Sequence, residues 1–389
     1  MPPARLTSTE MLGRLVGFDT TSRNSNLDLM AFVQDYLSQH GVASRLVPSE
    51  DGQKANLYAT IGPTDRGGVM LSGHTDVVPV DGQDWHTDPF TLTERDGRLY
   101  GRGTTDMKGF VAVALAMVPD FVAAPLTTPV HLAFSYDEEV GCIGVRRLID
   151  MLNGQAVRPS LCIVGEPTSM EVVIAHKGKR SYAVHVRGLE AHSSLAPRGV
   201  NAIEYAAELI AHMKGMARRL EADGPFDPEF DIPHTTIHVG TIQGGTALNI
   251  VPLDCRFRFE FRYLPTDDHA RLLAEIQDFV DAELHPRMHA VDPSTGITIT
   301  EATAFPALDT RADADVVAFA KALAGRNDHA KVAFGTEAGL FQTTADVPTV
   351  VCGPGSIAQA HKPNEFIEAA HLDRCEDFMR RLIGRLSGE

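Results

Sequence analysis

Val69-Met70-Leu71-Ser72-Gly73-His74-Thr75-Asp76 decides the fold of this chain, because an apolar run breaks at a glycine into a histidine and a carboxylate. A run this short, bounded by small and polar residues, reads as a buried strand. Three further stretches repeat the pattern. Residues 130–136 lead into Asp137-Glu138-Glu139, residues 161–164 into Gly165-Glu166-Pro167, and residues 349–352 into a glycine-rich loop ending at His361. Helical stretches at 8–18 and 29–37 open the chain, and others at 110–118 and 143–152 alternate with these strands. Alternating strand and helix predicts an α/β domain, doubly wound around a mostly parallel sheet. In such sheets ligands bind in the crevice beyond the carboxyl ends of the strands, which is where the histidines and carboxylates fall.

At 389 residues the chain exceeds one comfortable core and predicts two domains, or one with a large insertion. The pattern changes after His176-Lys177-Gly178. Residues 181–186 read as a strand with Tyr182, Val184 and Val186 on one face. Asn201 can cap a helix with an apolar stripe of Ile203, Ala206, Ile210 and Met213. After a strand at 235–239, residues 253–263 alternate cleanly: Cys255, Phe257, Phe259 and Phe261 on one face, Arg256, Arg258, Glu260 and Arg262 on the other. A helix carrying Leu272, Ile276 and Phe279 precedes a strand at 297–300. The order β-α-β-β-α-β is that of a ferredoxin-like α+β unit. The expected division is therefore 1–179, an inserted domain over 180–300, and 301–389.

A formal net charge of −16 argues against nucleic acid and anionic membranes as partners. No segment has the continuous apolar length of a membrane span. The start, Met1-Pro2-Pro3-Ala4-Arg5, enters a polar amphipathic stretch without the apolar core of an export signal. Five widely spaced cysteines, odd in number and mostly in apolar runs, suit a reducing, cytoplasmic setting.

His74, Asp106, Glu139, Glu166 and His361 are the candidate metal ligands. Imidazole plus carboxylate, with no thiolate, suits zinc or a similar divalent ion in a catalytic site and predicts metal-assisted hydrolysis. Asp76 sits where it can hydrogen-bond His74 from behind. Asp106, in Gly103-Thr104-Thr105-Asp106-Met107-Lys108-Gly109, has two readings, a ligand or a cap for the helix that follows. Glu138 and Glu139 repel each other unless a cation or proton intervenes, so they read either as a ligand beside a free base or as a solvated acidic loop.

The chain resembles the M20 family of dinuclear zinc aminoacylases and deacetylases, through the Ser72–Asp76 motif, Gly101-Arg102-Gly103-Thr104-Thr105-Asp106-Met107-Lys108-Gly109, Asp137-Glu138-Glu139-Val140-Gly141 and Gly165-Glu166-Pro167-Thr168. The resemblance covers essentially the whole chain. It implies two divalent metal ions per subunit, zinc with cobalt able to substitute, bridged by Asp106. His74 and Glu166 would complete one metal, Glu139 and His361 the other. It further implies that Asp76 orients His74, that Glu138 is the general base, and that the inserted domain is a lid through which a homodimer forms. His192 would then reach the partner subunit's site, although alone it reads as a loop histidine. Asn249 and Arg262 match substrate-holding lid positions, with a solvated face as the other reading of Arg262. Gly335 and Thr336 resemble a backbone-donor loop. Within the family, the segments 334–342 and 353–365 are similar to the branch that removes acetate from N2-acetyl-L-ornithine in arginine biosynthesis. Glu337 would meet the substrate ammonium, or else is a helix-start carboxylate. A desuccinylase of succinyl-diaminopimelate, another aminoacylase, a peptidase, and a metal-dependent binding protein without turnover are the alternatives.

Overall fold

The computed structural model describes residues 5–388, and Met1-Pro2-Pro3-Ala4, on which the export-signal reading falls, lie outside the described residues. The chain divides into two compact units, residues 1–175 with 308–331 and 336–389, and residues 176–307 with 332–335.

The first unit is built on a nine-stranded sheet. Its four central strands, Val130–Ser135, Val69–His74, Leu161–Val164 and Thr349–Val351, lie side by side and parallel. Ala55–Ile61 and then Ser44–Pro48 extend one side antiparallel, and Val173–His176 pairs antiparallel on the other. Every residue of Val69–His74 and Val130–Ser135 is buried, as unbroken apolar runs require of strands covered on both faces. Leu71 is in register with Leu132 on one side and Ile163 on the other. The chain therefore leaves Val69–His74 in one direction and later returns on its opposite side. That reversal makes a topological switch point, with its crevice at the carboxyl end of the strand, where His74 stands.

Helices cover the sheet. Lys108–Ala116 is buried along its whole length. Ser8–Val16 begins with a capping box: Thr7 Oγ1 accepts from Glu10 N at 3.2 Å, and Glu10 Oε2 from Thr7 N at 2.8 Å. Ala369–Leu386 packs through Leu372, Cys375, Phe378, Met379 and Leu382. Gly165 shows how tightly sheet and helix meet, since a Cβ there would fall 2.0 Å from the Phe110 ring. Phe110→Ala would open a cavity at this junction, at a cost of roughly 3–5 kcal/mol.

The second unit is an antiparallel sheet in the order Thr236–Gly244, Asp254–Tyr263, Gly178–Arg187, Gly296–Phe305. With the helices Ala202–Asp223 and His269–Phe279 this is the ferredoxin-like arrangement. Cys255, Phe257, Phe259 and Phe261 form its core with Tyr182, Val184 and Val186. Asn201 caps the first helix, its Oδ1 accepting from Ile203 N at 3.0 Å and Glu204 N at 3.3 Å. The buried stripe is Ala202, Ala206, Leu209, Met213 and Met216, and the expected Ile203 is exposed. The two stripes are apolar and share Ala206 and Met213, so periodicity alone does not choose between Ile203 and Leu209 at their edges. All five cysteines are buried and free. Among the described residues no helix is long and apolar enough to cross a membrane.

Candidate metal centre

Each central strand of the first unit delivers one part of the site. His74 ends its strand and is buried. Its Nδ1 lies 2.9 Å from the backbone oxygen of Asp76, which can only accept, so Nδ1 carries a proton and Nε2 is the ring atom turned toward the carboxylates. That Nε2 lies 3.1 Å from Asp106 Oδ1 and 3.9 Å from Glu166 Oε2. Asp106 turns its other oxygen to the opposite side, where Oδ2 is 3.2 Å from His361 Nε2. His361 Nε2 is also 3.0 Å from Glu139 Oε2. One carboxylate thus stands between two imidazoles, each accompanied by a further glutamate.

Donor atoms of His74, Asp106 and Glu139 lie within 4.8 Å of one another. Glu166 joins from the His74 side and His361 from the Glu139 side. The donor set is hard to borderline, with no cysteine among the grouped donors, and Glu139 Oε1 is buried without a hydrogen-bond partner. These observations fit divalent metal ions.

The electrostatics point the same way. Burial, reinforced by Glu139, Glu337 and Asp76, pushes the Glu138 carboxyl up to about 8. Burial and the nearby Asp106 charge push Glu139 up to about 7, and burial with the same crowding raises Glu166 well above the usual carboxylate range. Asp106 moves the other way: burial raises it, but hydrogen bonds from His361 and His74 outweigh that and hold it low. Hydrogen bonds to Asp106 and Glu139 lift His361 to about 10. Carboxylates forced together in a dry crevice are stabilised by protons or by cations, and the imidazoles supply only part of that charge.

Asp76 is tied to the loop that follows Val130–Ser135 and to Ser22 near the start of the chain. Its Oδ1 accepts from Glu138 N at 3.1 Å, and its Oδ2 from Glu139 N at 3.3 Å and from Ser22 Oγ at 2.7 Å. The Glu138 side chain carries no histidine contact within ion-pair distance among the described residues, and Cys142 Sγ donates to its Oε1 at 3.4 Å. Asp137, Cys142 and His361 all adopt positive φ (56°, 53° and 62°), so backbone strain concentrates at this site.

The remaining expected residues are divided between the two units. Glu337 begins the helix Ala338–Thr344, is 1% exposed and has neither oxygen hydrogen-bonded; Ser135 faces it without closing a hydrogen bond. Burial pushes its carboxyl up to about 7. Thr336 Oγ1 accepts from Ala338 N at 3.0 Å, a local cap. In the second unit His192 caps the turn Ser193–Arg198, its Nδ1 accepting from Ser194 N at 3.2 Å, and Ser193 N donates to Asn249 O at 3.0 Å. Arg262 Nε donates to Glu260 Oε1 at 2.9 Å on the polar sheet face. A Cβ on Gly335 would meet the Phe305 ring at 2.0 Å. Three residues with no role in the sequence reading are built into the site's supports: Ser22, Arg102 and Glu365. The last two are charged residues inside glycine- and proline-marked motifs, and that placement is the signal that could have found them.

The model of peptidase family M20/M25/M40 matches residues 70–385. An acetylornithine deacetylase of Proteus mirabilis (strain HI4320) is 37% identical over 366 residues, covering 94% of this chain and 91% of that protein. The acetylornithine deacetylase of Pasteurella multocida (strain Pm70) is 35% identical, covering 93% and 91%. Among solved structures, a tripeptidase of Staphylococcus aureus shares the fold with a TM-score of 0.77 at 19% identity, covering 99% of this chain and all of that one. A dinuclear metal-binding peptidase of Bacillus subtilis shares it with a TM-score of 0.64 at 14% identity, covering 97% of each.

Proposed function

This chain belongs to peptidase family M20/M25/M40 and is a hydrolase of amide bonds, and on that premise we propose that it removes acetate from N2-acetyl-L-ornithine at a dinuclear metal centre. The observation that carries the centre is Asp106, whose two oxygens face His74 and His361, with Glu138 beside them and not among the ligands. The substrate rests on the activity named for relatives at about 36% identity.

His74, Asp106 and Glu166 would hold one ion, Asp106, Glu139 and His361 the other. Bound zinc, or cobalt in its place, would polarise the acetyl carbonyl and lower the pKa of water toward about 7. Glu138 takes the proton of the attacking water and delivers it to the departing α-amine, acting as base and then acid. Its raised pKa suits the second of these roles. Arg262 is assigned to the substrate α-carboxylate, a forked donor against a planar acceptor, with Asn249, Gly335 and Thr336 beside the same group. Glu337 is assigned to the δ-ammonium.

The working form in this reading is a homodimer in the cytoplasm, joined through the inserted domain over 180–300, with His192 supporting the oxyanion of the partner subunit's site. The edge strand Thr236–Gly244 supports it, being largely exposed with Ile242 on it and Leu248 and Ile250 just beyond. Mixing inactive His192→Ala with inactive Glu138→Ala subunits should then restore activity. No recovery after verified subunit exchange removes action in trans.

The substrate itself is tested by a panel on zinc- or cobalt-loaded protein: N-acetylornithine, succinyl-diaminopimelate, N-acetylmethionine and dipeptides. The highest kcat/KM is expected on N-acetylornithine. A preference for succinyl-diaminopimelate or for peptides would place the chain in another branch of the family.

A further inference from the structure

Glu365 is 1% exposed and has all of its hydrogen-bonding capacity turned toward one loop. Its Oε2 accepts from Arg102 Nη1 at 2.7 Å and from Gly103 N at 3.1 Å. Its Oε1 accepts from Thr105 N at 2.9 Å and from Asp106 N at 3.2 Å. Gly101 N donates to its backbone oxygen at 3.0 Å. Arg102, equally buried, continues the chain of contacts: Nη2 donates to Gln83 Oε1 at 2.5 Å, and its guanidinium lies 5.1 Å from the Trp85 ring centre. Gln83 Nε2 then donates to the backbone oxygen of His361 at 3.2 Å. Asn364 fastens the same two segments again, its Oδ1 accepting from His86 N at 2.7 Å.

We propose that Glu365 and Arg102 form a positioning clamp that fixes Asp106 against His361 and so sets the ion site those two residues share with Glu139. The inference rests on the metal-centre reading above. Asp106 and His361 come from loops more than 250 residues apart in sequence, and both adjoin the clamp: Asp106 through its own backbone N–H, His361 through its own backbone oxygen. A buried ion pair is a poor stability device, because an apolar pair of similar volume would serve as well or better. This one has its carboxylate lone pairs directed at main-chain donors, and a ring of N–H groups around an anion fixes a loop's path. Neither residue is placed to touch substrate. Both act through the ligands they hold.

The test is metal occupancy, measured by elemental analysis after dialysis against graded chelator. Wild-type protein is expected to retain two ions. Glu365→Gln places an amide N–H₂ against donors and leaves Arg102 without its countercharge. It should weaken the ion at Glu139 and His361 by about ten-fold or more, the range seen when supporting partners of metal ligands are lost, and the ion at His74 and Glu166 by less, since only Asp106 links that ion to the clamp. Gln83→Ala, at the less buried end, should weaken the ion at Glu139 and His361 to a smaller degree. Arg102→Met with Glu365→Gln removes the uncompensated charge, so its melting temperature should recover toward wild type while the ion at Glu139 and His361 stays weak. Occupancy recovering in step with melting temperature would reduce the pair to a structural role and overturn the clamp. Two ions bound as tightly by Glu365→Gln as by wild type would overturn it alone. A wild-type protein that binds no metal would remove the metal-centre reading, and the clamp with it.

Discussion

Asp76 holds Glu138 by its backbone: the carboxylate that follows the His74 strand accepts the N–H of Glu138 at 3.1 Å and that of Glu139 at 3.3 Å. The residue behind the proposed ligand His74 therefore also sets where the proposed base and another ligand emerge from the neighbouring strand. Two functions of the centre share one support. Asp76→Asn turns one acceptor into a donor facing those N–H groups. It should lower kcat by about 10–100-fold, with a parallel loss of metal affinity. Activity and metal content measured together decide it, and an unchanged kcat would detach Asp76 from the site.

Glu138→Gln separates base from ligand. The side chain makes no contact with the site histidines within ion-pair distance, so metal content should stay near wild type. Turnover should fall by roughly 10²–10⁴-fold, the loss typical of a removed acid–base group. Near-normal turnover in a fully metallated variant would sink the assignment.

Asp106 and Glu166 differ in reach. Asp106 faces both imidazoles, whereas Glu166 Oε2 approaches His74 alone, at 3.9 Å. Asp106→Ala should lose both ions to chelator and Glu166→Ala mainly one. Two tightly held ions in Asp106→Ala would rule out bridging.

Much of this molecule was legible in its sequence because strand ends and ligands coincide. An apolar run buried on both faces leaves no alternation to misread, so Val69–His74 and Val130–Ser135 announce themselves as central parallel strands. In the second unit the alternation from Cys255 to Arg262 fixes the face of its strand outright. What stayed hidden depends on contacts distant in sequence. Ile203 and Leu209 are both apolar, and only the sheet beneath them selects Leu209. Arg102 and Glu365 stand 263 positions apart, and nothing local marks them as a pair. Glu337 carries two readings in sequence, ammonium partner or helix-start acid, and its burial at the head of Ala338–Thr344 is a tertiary fact that no local pattern encodes.

Acid should destabilise the fold through His131. Burial lowers its imidazole to about 4, with Tyr58 Oη and Thr60 Oγ1 both 2.9 Å from Nδ1. The unfolded chain binds a proton there as pH falls through about 6.5, while the folded protein resists until about 4. The stabilising contribution is therefore complete above pH 6.5 and is lost between 6.5 and 4. It amounts to on the order of 3 kcal/mol for this one group. Denaturant melts of metal-free protein across that window should show His131→Asn with a flatter pH dependence than wild type. Parallel curves would mean that His131 is accessible to protons in the folded state.

Selectivity turns on Glu337. The proposed substrate carries an α-carboxylate and a δ-ammonium, so a selective site needs an anion for the second. Glu337 is buried, and neither of its oxygens is hydrogen-bonded. A carboxyl in that state, pushed up to about 7, is held near neutral by its surroundings and gains the most from a cation brought beside it. A helix-start acid stabilised by the macrodipole would instead sit low and exposed to the solvent. Glu337→Gln should accordingly lower kcat/KM for N-acetylornithine more than for N-acetylmethionine, whose side chain has no charge. A charge-assisted hydrogen bond in a dry site contributes about 1.5–3 kcal/mol. The ratio of the two kcat/KM values should then fall by roughly ten-fold or more. Equal losses on both substrates would assign Glu337 to the electrostatics around Glu138 and leave the ammonium to another residue.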